Sequence, residues 1–217
     1  MSEVPRRVNI GCGPNPTPGW INFDNSVSVR IAKIALLPQI LSRLGLLGEG
    51  QKKLIFVARS GGVLWADGRS RIPLQSGTVE VLYTAHMLEH LDRDEARQFL
   101  AEAYRVIRPD GVIRVVVPDL RKLVEDYLSS GDADAFIDAT MLGSHQARSL
   151  FSRIRLLVAG KRHHLWMYDG PSLCRLLSAQ GYRDPSIVDS GLTTIPQPGQ
   201  LDLNERSAQS VYVEARK

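Results

Sequence analysis

Short apolar runs alternate with helically spaced apolar positions along most of the chain. RRVNI (6–10) reads as a strand ending in the glycine turn GCG, and WINF (20–23) as a second ending at Asp24. GVLWADG (62–68) is a third, ending at Asp67, VEVLYTA (79–85) a fourth and GVIRVVVPD (111–119) a fifth. The β-branched run of the fifth is that of a strand buried on both faces. SIVDS (186–190) and QSVYVEA (209–215) are weaker candidates. Between the fourth and fifth strands, Asp92 and Glu95 form a capping-box pair. Ala96, Phe99, Leu100, Ala103 and Ile107 then recur on one helical face, up to the turn Arg108-Pro109-Asp110-Gly111. A further helix is predicted after Asp119, with Leu120, Leu123, Val124 and Tyr127 inward, and another from Pro171 to Gln180, stopped by Gly181.

Strands separated by helices indicate an α/β domain with helices on both faces of a largely parallel sheet. Ligands of such sheets bind at the carboxyl ends of the strands. Gly11–Gly13, Asp24, Asp67, Ala85–His86 and Asp119 all fall there. A G-x-G turn lets the backbone approach a ligand. An acid after the second strand suits two ribose hydroxyls, and one after the third suits an exocyclic amine. Taken singly, each aspartate is equally a loop carboxylate or a helix cap.

With 217 residues, 43% of them hydrophobic, the chain is long enough for one domain with a real core. Cys12 and Cys174 show no paired spacing, and the polar start MSEVPRRVNIGCG has no secretory pattern, so a reduced, cytoplasmic protein is expected. No apolar run reaches the length of a spanning helix.

Three stretches carry a resemblance: VNIGCGPNPTPGWINFD, ADGRSRIPLQSGTVEVLYTAHMLEHL and AEAYRVIRPDGVIRVVVPDL. They resemble the class I S-adenosylmethionine (SAM)-dependent methyltransferases, in particular the small bacterial methyltransferase-11-like group, and HLWMYDGPSLCRLLSAQGYRD is similar to that group's tail. The resemblance implies a Rossmann-like seven-stranded class I methyltransferase sheet, SAM as cofactor and S-adenosylhomocysteine as product. It implies that Gly11, Cys12 and Gly13 line the methionine part, that Asp24 meets the ribose and Asp67 the adenine amine with Gly68 beside the ring, and that Ala85 and His86 lie along the cofactor. Two features depart from the family. PNPTP and Gly19 replace a full helix after the glycine turn, and Asn9 stands where an acid is common. Asn9 can still hydrogen-bond the methionine ammonium.

HMLEH (86–90) also fits H-x-x-E-H, an inverted zinc-protease motif. Its position in the turn after the fourth strand, with no third ligand marked by spacing, favours the family's LEH signature, and no metal is expected. His86 and His90 are candidate bases, since histidine titrates near neutrality, with His86 expected to face the cleft. Asp119 could orient an acceptor hydroxyl, or cap the next helix. His163, His164 and Tyr168 could close over the acceptor.

Positive charge is concentrated in two places. Residues 27–60 hold six Lys/Arg against Glu49, and residues 141–164 hold five and no acid, which leaves the remainder of the chain net acidic. In the first, residues 31, 34, 37, 41 and 44 are apolar at helical spacing, with Pro38 expected to kink the helix. In the second, Leu150, Phe151, Ile154, Leu157 and Val158 form another face. Segments 27–60 and 132–164 are therefore expected to form a helical lid in a single domain spanning residues 1–217. Either the lid packs on the sheet, or its basic face meets a membrane surface or an anionic substrate. The expected acceptor is a small molecule, a sugar or a lipid-linked glycan, methylated on oxygen. Nucleic acid is not expected, because the basic segments lack interleaved aromatics. A dinucleotide oxidoreductase is disfavoured, since Pro16 replaces the third glycine of G-x-G-x-x-G. A non-catalytic SAM-binding or partner-binding module on the same fold is the remaining alternative.

Overall fold

A computed structural model of the chain describes residues 6–142 and 163–217. Seven strands form one sheet: β1 (Arg6–Ile10), β2 (Ile21–Asp24), β3 (Leu64–Trp65), β4 (Val79–Ala85), β5 (Ile107–Pro118), β6 (Arg183–Val188) and β7 (Ser210–Arg216). Their spatial order is β3-β2-β1-β4-β5-β7-β6. The first five are mutually parallel. β7 inserts antiparallel between β5 and β6, which makes the sheet mixed. The seven helices described are α1 (Val27–Ile31), α2 (Leu37–Arg43), α3 (Glu49–Arg59), α4 (Arg93–Val106), α5 (Leu120–Ser130), α6 (Ala133–Thr140) and α7 (Gly170–Ala179).

The larger core lies on one face of the sheet. Val8, Ile10, Leu82 and Ile113 meet Phe99, Leu100 and Ala103 of α4 and Leu173 and Leu177 of α7. The expected spacing in α4 is the buried one, with Val106 completing the stripe. Its capping box forms as the sequence predicts: Asp92 Oδ1 accepts from the Glu95 amide (2.8 Å), and Glu95 Oε2 accepts from the Asp92 amide (3.2 Å). On the other face, Val81, Tyr83, Val112 and Tyr212 pack against Trp20 and against Ile195, Leu201 and Leu203 of the β6–β7 connection. No helix separates β1 from β2, so this connection covers the apolar surface that a helix there would take.

Several expectations change in detail. The third strand shrinks to Leu64–Trp65, both exposed, because it is the sheet edge and has one neighbour, β2. Residues 108–111 do not end before the fifth strand but bulge within it. Ile107 pairs with Val79, whereas Val112 pairs with Val81. Asp110 there has φ +59°. A side chain at Gly111 would strike Glu80 O at 2.9 Å, so the bulge requires glycine. The kinked helix expected over 27–44 is instead two helices. Pro38 sits in the first turn of α2, where its missing N–H costs nothing. Ile31 is buried, Leu37 and Leu41 pack beside it, and Ile34 and Leu44 face solvent. In α5 no residue is fully buried. Leu120 and Leu123 are half-buried, while Val124 and Tyr127 are exposed, Tyr127 resting on Phe136 of α6 (5.3 Å). The apolar face expected within 145–160 lies outside the described residues.

Candidate functional site

The carboxyl ends of β1, β2, β3 and β4 converge on the glycine turn. The amides of Gly11 and Cys12 both donate to Phe23 O (2.8 and 3.3 Å), which folds the turn over β2. Asp24 then ties the two ends together, since Oδ2 accepts from the Gly13 amide (2.9 Å) and Oδ1 from the Ser26 amide (2.8 Å). Burial raises the Asp24 pKa, against these two hydrogen bonds that lower it. Gly11 has φ +75°, and a Cβ on it would lie 2.7 Å from Met87 Cγ. Gly13 has φ +52° with nothing within 4 Å of a built Cβ. Both are positions where a side chain is strained, and the first also has no room for one.

Two hollows share Gly11. The smaller, a narrow cleft of about 20 Å³, is walled by Ile10, Ala66, Met87, Leu91 and Phe99, with Asp67, Gly68 and Asn25 on its polar side. A Cβ on Gly68 would lie 3.0 Å from Phe99 and crowd its ring. Arg69 grips Asp67 with two bonds (Nε 2.9 Å to Oδ1, Nη2 2.7 Å to Oδ2), and this holds the carboxyl below the usual range. Arg69 Nη1 also reaches Glu95 (2.5 Å), so the wall is fastened to the cap of α4. The larger hollow, about 210 Å³, is lined by Asn9, Cys12, Tyr83 and Ala85 and by Gln200, Asp202 and Glu205.

The sequence-predicted residues distribute over this geometry unevenly. Asn9, Gly11, Cys12 and Ala85 line the larger hollow, and Gly11, Asp67 and Gly68 the smaller. The Asn9 amide donates to Thr17 Oγ1 (3.0 Å). Cys12 also rests against the cluster of Val29 and Leu54, and burial pushes its thiol pKa up. Asp24 and Gly13 brace the turn and line neither hollow. His86 does not face the cleft. Its backbone is left-handed (φ +50°), and its ring is buried between Ser210 Oγ (Nε2, 3.0 Å) and Glu89 Oε1 (Nδ1, 3.3 Å). His90 lies in a single 3₁₀ turn, Leu88–His90, with Nδ1 3.0 Å from His163 O. Asp119 caps α5 through the Arg121 amide (3.0 Å), the second of its two expected roles.

Residues 163–168 form a strap over the HMLEH motif. The amides of Leu165 and Trp166 both donate to Glu89 O (2.7 and 3.2 Å), and Tyr168 bridges to Asp119. His164 is buried with its ring 5.0 Å from that of His90, and burial lowers its pKa. Beyond the strap a third hollow, about 520 Å³, has Arg93, Arg97, Arg175 and Trp166 among its walls, Arg93 stacking on Trp166 at 4.6 Å. Sequence reasoning missed Gln200, Asp202 and Glu205, because they arrive from the far end of the chain and no spacing relates them to the glycine turn.

The linings of these hollows suit the groups of an adenosyl ligand. One is apolar with a carboxylate and an amide at its edge, the other is acid-lined, and the residue between them can carry no side chain. Residues 8–115 match the family model described as "Methyltransferase domain". No curated protein matches the chain by sequence. Among solved structures, the fold is similar to a SAM-dependent methyltransferase from Thermotoga maritima (TM-score 0.51, 16% identity, covering 100% of this chain and 84% of that one). It is similar also to one from Archaeoglobus fulgidus (0.52, 15%, covering 99% and 87%) and one from Mesorhizobium loti (0.50, 14%, covering 100% and 94%). The seven-stranded mixed sheet matches that fold, and the sequence match spans the glycine turn, both aspartates and the LEH motif. The chain carries a methyltransferase domain over residues 8–115, on a fold shared with these SAM-dependent methyltransferases, and SAM is its cofactor.

Proposed function

We propose that the protein transfers a methyl group from SAM to an oxygen of a small molecule, sugar or lipid-linked glycan. The observation that carries this reading is the pair of hollows meeting at Gly11. Bound SAM supplies an electrophilic methyl on a sulfonium, and the chain's residues bind and align. Asp67, held in place by Arg69, accepts from the adenine amine, and Gly68 leaves room beside the ring. Asp24 meets the ribose through lone pairs that Gly13 and Ser26 leave open, since a carboxylate has about four such sites. The backbone of Gly11, Cys12, Gly13, Ala85 and His86 runs along the methionine part. Asn9 faces its ammonium, and Asp202 and Glu205 supply the negative charge that an asparagine lacks.

The acceptor side is assigned to the strap and the hollow behind it. Three arginines beside an exposed tryptophan suit a sugar bearing a carboxylate or phosphate, through forked hydrogen bonds and ring stacking. Of the candidate catalytic groups, His86 is committed to Ser210, and Asp119 to its helix. His90 is the one that keeps a nitrogen, Nε2, for the acceptor side.

Segment 27–60 fits the lid reading, since Leu54 and Val57 of α3 pack beside Cys12 and Lys53 Nζ reaches Asn15 (2.7 Å). The lid over 132–164 and the single domain over 1–217 are part of the same proposal. Ile40 of α2 and the residues capping its two ends, Leu36 and Leu44, are 51%, 68% and 58% exposed beside Lys33 and Arg43, which favours a membrane-surface contact. No helix among the described residues is long and apolar enough to cross a membrane.

Isothermal titration of the cofactor-free protein with SAM, S-adenosylhomocysteine and NAD tests the cofactor half. Both adenosyl ligands should bind and NAD should not. Release of S-adenosylhomocysteine on addition of acidic sugars or lipid-linked glycans tests the acceptor half. Turnover confined to non-carbohydrate nitrogen acceptors would overturn it.

A further inference from the structure

Nothing in the methyl-transfer reading accounts for the Glu89 side chain. It is 1% exposed, and neither carboxylate oxygen has a hydrogen-bond partner among the described residues. A buried carboxylate in that state is costly, and native structures resolve the cost with a counter-charge or a ligand. No lysine or arginine pairs with it among the described residues. Its charged-type neighbours are His86 Nδ1 at 3.3 Å and His164 Nε2 at 3.9 Å, both on Oε1. We propose that Glu89, His90 and His164 form a site for one divalent transition-metal ion of the zinc, cobalt or manganese type.

The geometry supports it in three ways. One donor atom from each of the three side chains lies within 4.8 Å of the others. Metal–ligand bonds of about 2.1 Å give a tetrahedral edge of roughly 3.4 Å, so small rotamer adjustments shared between side chains close the set. His90 is already oriented as a ligand. Its Nδ1 lies 3.0 Å from the His163 carbonyl, which fixes the proton on Nδ1 and leaves the lone pair on Nε2. The strap that delivers His164 is docked independently by the two amides on Glu89 O, so the third ligand arrives on ordered backbone. Two imidazoles and one carboxylate favour a borderline transition ion over magnesium or calcium, which prefer all-oxygen sets.

The zinc-protease match in HMLEH thus has a different physical content. Both of its histidines cannot act from one helical turn, because His86 lies outside the turn and is bound to Ser210. The motif supplies two ligands and the strap the third. Three protein ligands leave positions open for water or an acceptor oxygen, the arrangement of a Lewis-acid site. In that role His90 acts as a ligand and not as a base. Metal binding itself does not depend on the methyl-transfer reading; its bearing on the acceptor does.

The test uses the full chain, stripped with chelator and titrated with Co²⁺ in the absence of SAM. One equivalent should bind with visible d–d absorption, be displaced by Zn²⁺ and raise the melting temperature. Mg²⁺ should compete poorly. Glu89→Gln and His164→Asn should each weaken Co²⁺ binding by about 100-fold or more, given that even outer partners of a metal site contribute 10–100-fold. Circular dichroism verifies that the variants fold. Should they not, selective paramagnetic broadening of the His90 and His164 resonances in the wild-type chain decides the matter. No broadening, or equal Co²⁺ binding by wild type and folded variants, overturns the site. A parallel SAM titration of the metal-free chain separates the two ideas, because SAM binding without metal binding sinks this inference and spares the cofactor assignment.

Discussion

Arg114 and Glu214 face each other in register across the β5–β7 ladder, Nη1 to Oε1 at 2.6 Å, and both side chains are almost wholly buried. The pair also anchors the β6–β7 connection. Arg114 donates to Leu192 O and Leu203 O, and Glu214 accepts from Thr193 Oγ1 and from both the amide and hydroxyl of Thr194. That connection carries Asp202 and Glu205, so a buried ion pair sets one wall of the larger hollow. Removing one partner strands the other charge: Glu214→Ala should cost about 3–5 kcal/mol in urea unfolding, and Arg114→Met with Glu214→Leu distinctly less. A double variant as unstable as the single one would show that the hydrogen bonds to the loop, not the charges, hold this region.

The same carboxylate makes stability depend on pH. Burial alone would raise the Glu214 pKa, but the bonds from Thr193, Thr194 and Arg114 outweigh it and hold the group below its ordinary value. Asp67 is shifted in the same direction by Arg69. A depressed acid stabilises the fold fully above its unfolded pKa, and that contribution is lost as pH falls through the folded value. The melting temperature should therefore drop on acidification below the ordinary carboxylate range, and Glu214→Gln should flatten that drop.

Asp67→Ala should weaken SAM binding by about tenfold, or roughly 1.4 kcal/mol, by calorimetry. The melting temperature should change little, because the Asp67–Arg69 pair is partly exposed and Arg69 keeps Glu95. Unchanged affinity would remove Asp67 from the adenine site.

The two turn glycines should behave differently. Gly11→Ala meets Met87 at 2.7 Å in a left-handed backbone, so SAM affinity should fall by more than about tenfold and stability with it. Gly13→Ala meets nothing, and should cost about 1–2 kcal/mol of backbone strain. Equal effects in paired titration and melting experiments would argue that strain alone governs the turn.

Co-sedimentation with anionic vesicles addresses the exposed stripe on α2. Wild type should pellet more than Leu36→Asp/Ile40→Asp, and high salt should weaken both, given the flanking Lys33 and Arg43. Identical pelleting would leave the stripe without a membrane role.

What was legible in the sequence is what local pattern encodes. β1 and β4 carry their burial in their own spacing, and α4 carries its start in Asp92 and Glu95. The glycine turn and Asp67 were readable because each follows a strand at the end where ligands bind. The direction of the His86 ring was not, since a left-handed backbone at a non-glycine residue leaves no mark in composition. The α5 face failed for a related reason: helical spacing shows that a face is apolar, not that something covers it. Gln200, Asp202 and Glu205 reach the site through the long-range folding of a loop, where no periodicity exists to be read.

The reversed strand β7 also bears on how the molecule is made. Ser210–Arg216 pairs with β5 on one side and β6 on the other, yet of the seven strands in this sheet it is the last to leave the ribosome. Until it emerges, the long apolar flank of β5 has no ladder on that side, and β6 has no sheet to join. The nascent chain thus waits with an open, sticky edge beside its largest core, and slowing translation before residue 210 should increase its demand for chaperones.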